Sequence, residues 1–436
     1  MHLVGKHIAI LGVGRSGRAA AALALREGAS VSAWDCAGVE SFAGMPEGVM
    51  IYPNATAEQG REVVCDLLVV SPGIDTYGEY VAAFSQHAGE VIGEVELAAR
   101  FYQGRIIGIT GTNGKTTTTE LIARILAHAS LGGTACGNYG TPFAEVVMQM
   151  NPPEVVSLEL SSFQLETTHL LRPAVAIWLN FAPDHMDRYP TVDDYKAAKL
   201  RIFQAQDYND IAIVRFGEDI PNLAAQCVSF STTDATADWF SNGTMIIHRD
   251  KECLNLEADT NLRGLHNAEN LMAALAACEA LGVPLTIIRE ALLGYSPPPH
   301  RCELIRTLDG VEYINDSKAT NLHALESALR SQLRPVVLIA GGKDKGLDYR
   351  PVISLLSGGV LAVVTFGQIA RSLADLFSSA VCTEAVATLS DAVAVARSLA
   401  PYGSTILLSP GTSSFDQFSG YEQRGNTFRD LVHQLR

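Results

Sequence analysis

Short runs of aliphatic and β-branched residues alternate with alanine- and leucine-rich stretches along nearly the whole chain. This alternation is typical of α/β proteins in which helices cover a mainly parallel sheet. It predicts strands at 7–12, 31–35, 66–70, 105–110, 155–160, 174–179, 210–214, 336–340, 361–366 and 404–408. It predicts helices at 15–27, 94–101 and 115–128, with more between the last three strands. Residues 228–256, rich in Thr, Asn and Gly, predict irregular β hairpins.

The chain has 436 residues, and at about 150 residues per domain this length predicts three domains. A new strand-and-helix unit begins after Gly93, and Pro297–Pro299 form a stiff proline-rich linker. We therefore predict domains over 1–93, 94–298 and 299–436.

Composition and charge narrow the possible functions. Hydrophobic residues make up 47% and the net charge is −15, which argues against a non-specific nucleic-acid binder. The three predicted domains carry −5 (5 basic, 10 acidic), −10 (14 and 24) and 0 (13 and 13). The sequence has no apolar stretch of about 18 residues, and its eight cysteines are widely spaced. Its N-terminal apolar run is short, so we expect no signal peptide. We expect a cytoplasmic protein with reduced thiols and no membrane insertion.

The strongest motif, Thr110–Thr116 (TGTNGKT), lies between a predicted strand and a predicted helix. Phosphate binding needs backbone N–H groups at a helix N-terminus, a lysine and a hydroxyl for Mg²⁺, and this segment supplies them all. Ile109 occupies the place of the first glycine in the common P-loop spacing. A purely structural glycine turn is the alternative, and we predict nucleotide binding.

A second glycine-rich turn, Gly12–Gly17 (GVGRSG), follows the first strand, and Asp35 ends the second. In this strand–turn–helix context the pattern is typical of sites for a diphosphate-bearing ligand. A structural turn remains the alternative for these glycines.

Three further polar groups accompany the phosphate loop. Glu159 ends an apolar strand where a Mg²⁺ ligand would lie, and His185 stands among acids in Asp184–Arg188 (DHMDR). Lys199 lies on a predicted helix, where composition alone favours a solvated charge. Each has a structural alternative, because strand-end glutamates and loop histidines are often without a chemical role.

The C-terminal half carries more polar turns. Asn270 belongs to a group (HNxxN) that opens an alanine-rich helix, as a cap or as a nucleotide contact. Arg301 and the segment Asn315–Asn321 (NDSKATN) supply cations that suit phosphoryl transfer, although a helix cap is the alternative. The turns 341–345 and 409–414 follow strong strands, at the edge where α/β sheets bind ligands.

The joint pattern resembles the Mur ligases, which add amino acids to the muramyl peptide of bacterial cell-wall precursors. The motifs GTNGKT, LELSSFQLE, DHMDRY, AAKLRI, GLHNxxN, HR, NDSKATN, GGKDK and SSFDQFxxYEQRGNxF occur in one order along the whole chain. The short N-terminal nucleotide fold, HMDRYP and EQRGN are most similar to the members that add D-glutamate.

The resemblance implies a Rossmann-like N-terminal domain, a central P-loop ATPase-type domain with a parallel sheet, and a Rossmann-like C-terminal domain. It implies ATP-dependent amide formation between UDP-N-acetylmuramoyl-L-alanine and D-glutamate through an acyl phosphate. ATP, two Mg²⁺ ions and CO₂, bound as a lysine carbamate, are the expected small molecules, and we expect a monomer.

The resemblance also implies roles for individual residues. Catalytic roles fall to Lys115, Lys199, His185 and Lys318. ATP contacts fall to Gly111, Thr112, Asn113, Gly114, Lys115, Thr116, Thr117, Asn270, Arg301 and Asp316. Contacts to the UDP-linked substrate fall to Gly14, Arg15, Ser16, Asp35, Cys36, Ser71, Pro72, Gly73, Asn138 and Ser161. D-glutamate contacts fall to Thr320, Lys345, Ser414 and Tyr421. Metal ligation falls to Thr116, Glu159, His185 and the carbamylated Lys199.

Two positions depart from the family pattern. Cys36-Ala37 replaces the Thr-Arg pair that some relatives carry after the aspartate, and Tyr421 stands where phenylalanine is familiar. Two other functions stay open at this point. One is an NAD-dependent oxidoreductase built on Gly12–Gly17 and Asp35, and the other is a nucleotide-gated binding protein without catalysis.

Overall fold

A computed structural model describes residues 2–186, 188–262, 264–296, 298–330, 332 and 334–436. Asp187 of the histidine motif and Pro297 of the predicted linker lie outside the described residues. The described strands form three sheets. One compact unit comprises the chain up to Asn255 together with Glu269–Leu293, and the other comprises Leu256–Ala268 and Gly294–Arg436. The predicted boundaries at 93 and 298 stay a prediction.

The first sheet is parallel and has the strand order β3-β2-β1-β4-β5. Its elements are β1 (His7–Leu11), α1 (Arg15–Arg26), β2 (Ser30–Trp34), β3 (Met50–Tyr52), α2 (Ala57–Gly60), β4 (Leu67–Val70), α3 (Glu79–Ser85) and β5 (Val91–Gly93). The apolar runs predicted β1, β2 and β4, whereas β3 and β5 are only three residues long and gave no pattern.

The second sheet has the order β14-β13-β12-β11-β10-β9-β6-β8-β7. Its first elements are α4 (Glu94–Ala99), β6 (Arg105–Thr110), α5 (Lys115–His128), β7 (Gly132–Gly137), α6 (Phe143–Val147), β8 (Val155–Glu159), α7 (Ser162–Leu165), β9 (Val175–Trp178) and α8 (Val192–Leu200). They continue with β10 (Ile211–Arg215), β11 (Gln226–Ser231), β12 (Trp239–Ser241), β13 (Met245–His248), β14 (Lys251–Asn255), α9 (Leu256–Asp259), α10 (Leu265–Ala280) and α11 (Leu285–Leu292).

The sheet is parallel from β7 to β12 and antiparallel over β12, β13 and β14. The predicted hairpins in 228–256 are therefore correct for the last three strands, whereas β11 pairs with β12 in parallel. Strand β7 was not predicted, because the paired glycines Gly132 and Gly133 obscure its apolar pattern.

The third sheet, β15-β16-β20-β17-β18-β19, is parallel except for the pair β15–β16. Its elements are β15 (Glu303–Leu308), β16 (Val311–Asn315), α12 (Leu322–Arg330), β17 (Val336–Gly341), α13 (Ile353–Leu356), β18 (Val360–Phe366), α14 (Ala370–Phe377), β19 (Cys382–Ala385), α15 (Leu389–Leu399), β20 (Thr405–Leu408) and α16 (Tyr421–Gln434). The hairpin β15–β16 and the exposed edge strand β19 were not predicted. The α/β fold class is confirmed.

Helices α1, α4 and α6 pack against one another, so the first two sheets share one hydrophobic cluster. Apolar clusters on the two faces of the third sheet form the core of the second unit. None of the described helices combines the length and hydrophobicity needed to cross a bilayer.

Candidate active site

A glycine-rich turn joins β6 to α5 and forms the predicted phosphate loop. Gly111 and Gly114 have φ angles of 148° and 86°, which L side chains rarely adopt. A Cβ atom at Gly114 would lie 2.1 Å from Oδ1 of Asn270, so glycine is required there. The first N–H groups of α5 have no partner within the helix, and an N-terminus of this kind binds phosphate.

Asn180, just after β9, holds this loop in place. Its Oδ1 accepts from the N–H of Asn113 at 3.0 Å, and its Nδ2 donates to the Asn113 carbonyl at 3.1 Å. The Thr112 hydroxyl oxygen lies 3.0 Å from both the carbonyl and the N–H of Ala182. These contacts hold the loop in place.

Two lysines converge on the same carbonyl of the loop. Lys115 Nζ donates to the carbonyls of Gly111 and Thr112 at 2.9 and 3.0 Å. Lys199 Nζ, from α8, also donates to Gly111 O at 2.9 Å and lies 4.7 Å from the Tyr195 ring centroid. Burial, and then the charge of Lys115, hold the pKa of the 2% exposed Lys199 well below its usual range. The environment therefore favours a neutral amine.

Glu159 ends β8 and is 2% exposed. Its Oε1 accepts from Asn138 Nδ2 at 2.7 Å, whereas its Oε2 is buried and has no hydrogen-bond partner among the described residues. A buried carboxylate oxygen without a partner is costly. A hard cation such as Mg²⁺ prefers oxygen ligands of this type.

His185 has a left-handed backbone with φ of 58°. Its ring makes edge contacts with Phe163 at 4.9 Å and with Tyr195 at 6.0 Å between centroids. Its Nε2 lies 3.9 Å from Oδ2 of Asp184. Because Phe163 belongs to α7 and Tyr195 to α8, His185 is held between the elements that follow Glu159 and carry Lys199.

The turn after β1 is tight and is closed by Asp35. A Cβ atom at Gly17 would lie 1.9 Å from the Gly12 carbonyl, so this glycine allows α1 to approach the strand. The Asp35 carboxylate accepts from the N–H groups of Val13 and Ala37 at 3.0 and 2.9 Å. Asp35 therefore shapes the turn.

The other residues predicted to contact the UDP-linked substrate lie at the carboxyl ends of neighbouring strands. Ser71 donates to the Gly12 carbonyl at 2.9 Å, and Arg15 donates to the Gly140 carbonyl, in the turn after β7, at 3.1 Å. Cys36 is exposed. Ser161 caps α7 in a capping box with Gln164, which gives its hydroxyl a structural partner.

In the second unit, Asp316 follows β16 and is buried. Its carboxylate accepts from the Ser409 hydroxyl at 3.0 Å and from the Cys302 N–H at 3.2 Å. Burial raises the pKa of Asp316 to about 7. Arg301 is half-buried just before β15.

The residues predicted to hold D-glutamate follow the carboxyl ends of β16, β17 and β20 in the third sheet. Lys345 Nζ donates to the Thr320 carbonyl at 3.4 Å, and Ser414 is 2% exposed. Lys318 Nζ lies 4.0 Å from the Tyr421 ring centroid, a cation–π geometry. The aromatic face of Tyr421 is thus already used to position a cation.

Arg424 is a buried cation in the same unit. Its guanidinium donates to the Ser317 hydroxyl and carbonyl at 3.0 and 2.8 Å and to the Thr412 carbonyl at 3.2 Å. All its hydrogen-bond acceptors in the described part of the chain are uncharged, and burial lowers the pKa of Arg424 to about 10. It fastens the turn after β16 to the turn after β20.

Comparison with known proteins places this arrangement in a family. The chain is 38% identical to the UDP-N-acetylmuramoylalanine--D-glutamate ligase of Acidobacterium capsulatum over 99% of this chain and 97% of the relative. It is 40% identical to the enzyme of that name from Myxococcus xanthus over 99% of both chains. The chain belongs to the Mur ligase family. Residues 109–278 match the Mur ligase middle domain, and residues 300–411 match the Mur ligase glutamate ligase domain.

Solved Mur ligases share the fold. MurF from Acinetobacter baumannii aligns with a TM-score of 0.60 at 17% identity, covering 87% of this chain and 93% of that one. MurF from Thermotoga maritima, solved in complex with ADP, aligns with a TM-score of 0.59 at 15% identity, covering 98% and 95%.

Three residues of this Mur ligase that hold candidate site segments in place were not predicted: Asn180 and Arg188, which contact Asn113 and Glu166 in the first unit, and Arg424, which contacts Ser317 in the second. Asn180 is the polar residue that closes an apolar strand, which is a detectable sign. Arg188 and Arg424 stand inside motifs quoted above. Their partners lie far away in sequence, so only the structure reveals their roles.

Proposed function

We propose that this Mur ligase joins D-glutamate to UDP-N-acetylmuramoyl-L-alanine in an ATP-dependent reaction of peptidoglycan precursor synthesis. The observation that carries this proposal is its similarity, over nearly its whole length, to relatives that bear the name of that activity. The fixed phosphate loop and its two lysines support the use of ATP.

The reaction proceeds in two steps. The alanine carboxylate of the UDP-linked substrate attacks the γ-phosphorus of ATP, which forms an acyl phosphate and releases ADP. The amine of D-glutamate then attacks the acyl carbon through a tetrahedral intermediate, which releases phosphate and a proton. Since a triphosphate and two carboxylates repel one another, the site must supply positive charge.

The side chains around the phosphate loop have different roles in supplying this positive charge. Lys115 grips the phosphates and Thr116 supplies a hydroxyl at the start of α5. The unpartnered Glu159 Oε2 fits a divalent cation, and Glu159, His185 and a carboxylated Lys199 would hold two Mg²⁺ ions with Thr116. When bound, these ions neutralise charge on the phosphates and on the attacking carboxylate.

Lys199 fits carbamylation because its amine is buried beside Gly111 O and its charged form is disfavoured. The neutral Nζ attacks CO₂, forms an N–C bond and releases a proton, which leaves a carboxylate. Protein incubated with ¹³C-bicarbonate should show a carbamate carbon signal that Lys199→Ala abolishes. Lys199→Ala should also be nearly inactive and partly rescued by short carboxylates, whereas full unassisted activity would exclude this role.

The other predicted site residues are assigned here by the ligand that each would contact. The UDP-linked substrate lies along the turn of Gly14, Arg15 and Ser16, with further contacts from Asp35, Cys36, Ser71, Pro72, Gly73, Asn138 and Ser161. ATP is also held by Asn270, Arg301 and Asp316. D-glutamate is held by Thr320, Lys345, Ser414 and Tyr421, and Lys318 stabilises charge near the acceptor. We further propose that the protein is cytoplasmic and that it is a monomer. Sedimentation of the purified protein checks the oligomeric state.

The deciding experiment is an ADP-release assay with purified protein. ADP should be released over many turnovers only when both UDP-N-acetylmuramoyl-L-alanine and D-glutamate are present, because without D-glutamate each enzyme molecule can form at most one acyl phosphate. Turnover with L-lysine, meso-diaminopimelate, or folate with L-glutamate would instead assign another activity. Binding of a nicotinamide nucleotide in a titration would favour the alternative function of an NAD-dependent oxidoreductase. Unchanged function in Lys115→Ala would favour a nucleotide-binding protein without catalysis.

A further inference from the structure

Two motifs contain residues that the proposed chemistry leaves without a role. LELSSFQLE supplies Phe163 and Glu166 in addition to Glu159 and Ser161, and DHMDRY supplies Arg188 and Tyr189 in addition to His185. The structure brings these four residues into direct contact within one compact unit.

The Arg188 guanidinium makes contacts in three directions. Nη1 donates to the Pro72 carbonyl at 2.8 Å, and Nη2 donates to the Ile74 carbonyl at 2.8 Å and to Glu166 Oε2 at 3.0 Å. Its Cζ lies 4.1 Å from the Phe163 ring centroid. The planar fork of arginine suits this combination of stacking and several hydrogen bonds, which a lysine cannot reproduce.

Glu166 is the second half of this cluster. Its side chain is 4% exposed, and that of Arg188 is 12% exposed. Besides Arg188, the carboxylate accepts from the hydroxyls of Thr76 and Tyr189. Removing one partner of a buried ion pair leaves the other charge uncompensated, so the pair resists separation.

The cluster links two segments that the proposed function uses. The substrate loop, residues 71–76 after β4, contains the proposed contacts Ser71, Pro72 and Gly73. The histidine loop, residues 184–186 with 188 and 189, contains His185, whose carbonyl accepts from the N–H groups of Arg188 and Tyr189 at 3.0 Å. Phe163 contacts both the His185 ring and the guanidinium.

We propose that Arg188 is a positioning residue that couples the substrate loop to the histidine loop, so that binding of the UDP-linked substrate orders His185. This inference rests on the proposed function for the identity of the substrate. Because coupling between two sites is reciprocal, occupancy of the nucleotide site also strengthens binding of the UDP-linked substrate through Arg188.

The test compares Arg188→Ala and Arg188→Lys with a matched control, Arg100→Ala. Arg100 has a similarly buried side chain, 9% exposed, and pairs with Glu90 and Glu96, but none of its partners among the described residues lies in either loop. In both Arg188 variants, KM for the UDP-linked substrate should rise roughly tenfold and kcat should fall, with KM for D-glutamate unchanged. Arg100→Ala should lower thermal stability without this selective change.

Hydrogen exchange gives a readout that does not need turnover. In the unmodified protein, UDP-N-acetylmuramoyl-L-alanine alone should slow amide exchange in both loops, and in Arg188→Ala it should slow exchange only in the substrate loop. Protection of the histidine loop in Arg188→Ala, or equal changes in all kinetic parameters of the Arg188 and Arg100 variants, would overturn the proposal. If the unmodified protein does not bind this substrate, the proposed function fails. Even then, faster amide exchange of both loops in ligand-free Arg188→Ala would support the coupling of the two loops through Arg188.

Discussion

At the scale of single residues, the phosphate loop needs a residue without a Cβ atom at position 114. Gly114 combines a left-handed backbone with a site where a Cβ would lie 2.1 Å from Asn270 Oδ1. Backbone strain and steric conflict are separate effects, and the chain offers a way to separate them. Gly282 has a similar φ of 83° but no atom within 4 Å of the place a Cβ would take.

We expect Gly114→Ala to abolish ATP binding, because the new methyl group displaces Asn270 or distorts the loop. Gly282→Ala should cost only the strain of its φ angle, about 1 kcal/mol, and bind ATP normally. Calorimetric titration with ATP measures both. Equal ATP affinity in the two variants would show that the close approach of Asn270 is unimportant.

Arg424 leads to a second prediction at this scale. Arg424→Met fills much of the same volume but removes the donors that the carbonyls of Ser317 and Thr412 use, so we expect a loss of about 1–3 kcal/mol in unfolding free energy. KM for D-glutamate should rise because both turns loosen. Arg350→Met, which breaks an exposed pair with Asp348, serves as the control and should change stability by less than about 1 kcal/mol. Urea unfolding and steady-state kinetics measure these effects.

The sequence alone indicated candidate residues for the chemistry, but it did not indicate which residues hold them in place. Lys115, Glu159 and His185 stand in motifs whose chemistry is visible in the letters. The contacts of Asn180 with Asn113 and of Arg424 with Thr412 depend on how distant turns meet in space. Ser161 was expected to contact the substrate, and the structure shows that it also caps helix α7.

At the scale of elements, the start of α4 contains an unusual buried acid. Glu94 is 2% exposed, and its Oε1 accepts from the Ala144 N–H in the first turn of α6 at 2.6 Å. Since Pro142, the cap residue of α6, offers no side-chain cap, Glu94 supplies one from another helix. Its Oε2 has no partner in the part of the chain that the structure describes, and burial raises the pKa of Glu94 to about 7.

This acid makes stability depend on pH. In the unfolded chain Glu94 ionises near its ordinary pKa of 4.5, whereas the folded protein keeps it protonated up to about 7. The stability contribution is therefore complete below pH 4.5 and is lost as pH rises to 7, by about 3 kcal/mol. Glu94→Gln should remove this loss, so the stability of the variant relative to the original protein should rise between pH 4.5 and about 7. Urea unfolding at several pH values measures the difference, and a constant difference would contradict the assignment.

Elements that are long and periodic were predictable, and short ones were not. β6 and α5 have the predicted bounds because a β-branched run meets a long helical pattern at a glycine turn. β3 and β5 have three residues each, and their pairing comes from the sheet rather than from local preference. β7 forms although Gly132 and Gly133 weaken it, since it pairs with β8 and packs on α5.

At the scale of the whole molecule, the first two sheets share part of their hydrophobic core. Their helices α1, α4 and α6 share one hydrophobic cluster, in which Leu23, Leu97 and Val146 are buried. A second cluster, which includes Leu68, belongs to the first sheet alone. A shared core joins two sheets into one folding unit when separating them would expose much of that core.

We therefore expect the first and second sheets to unfold together. Leu68→Ala creates a cavity in the first sheet's own cluster and should cost about 2–5 kcal/mol. Native-state hydrogen exchange should show equal losses of protection at Ile8–Ile10 of β1 and Ile107–Ile109 of β6. Leu97→Ala, which opens the shared cluster, should give the same equal pattern. If Leu68→Ala weakens β1 alone, the N-terminal sheet opens independently, and the predicted boundary at residue 93 separates two domains that fold on their own.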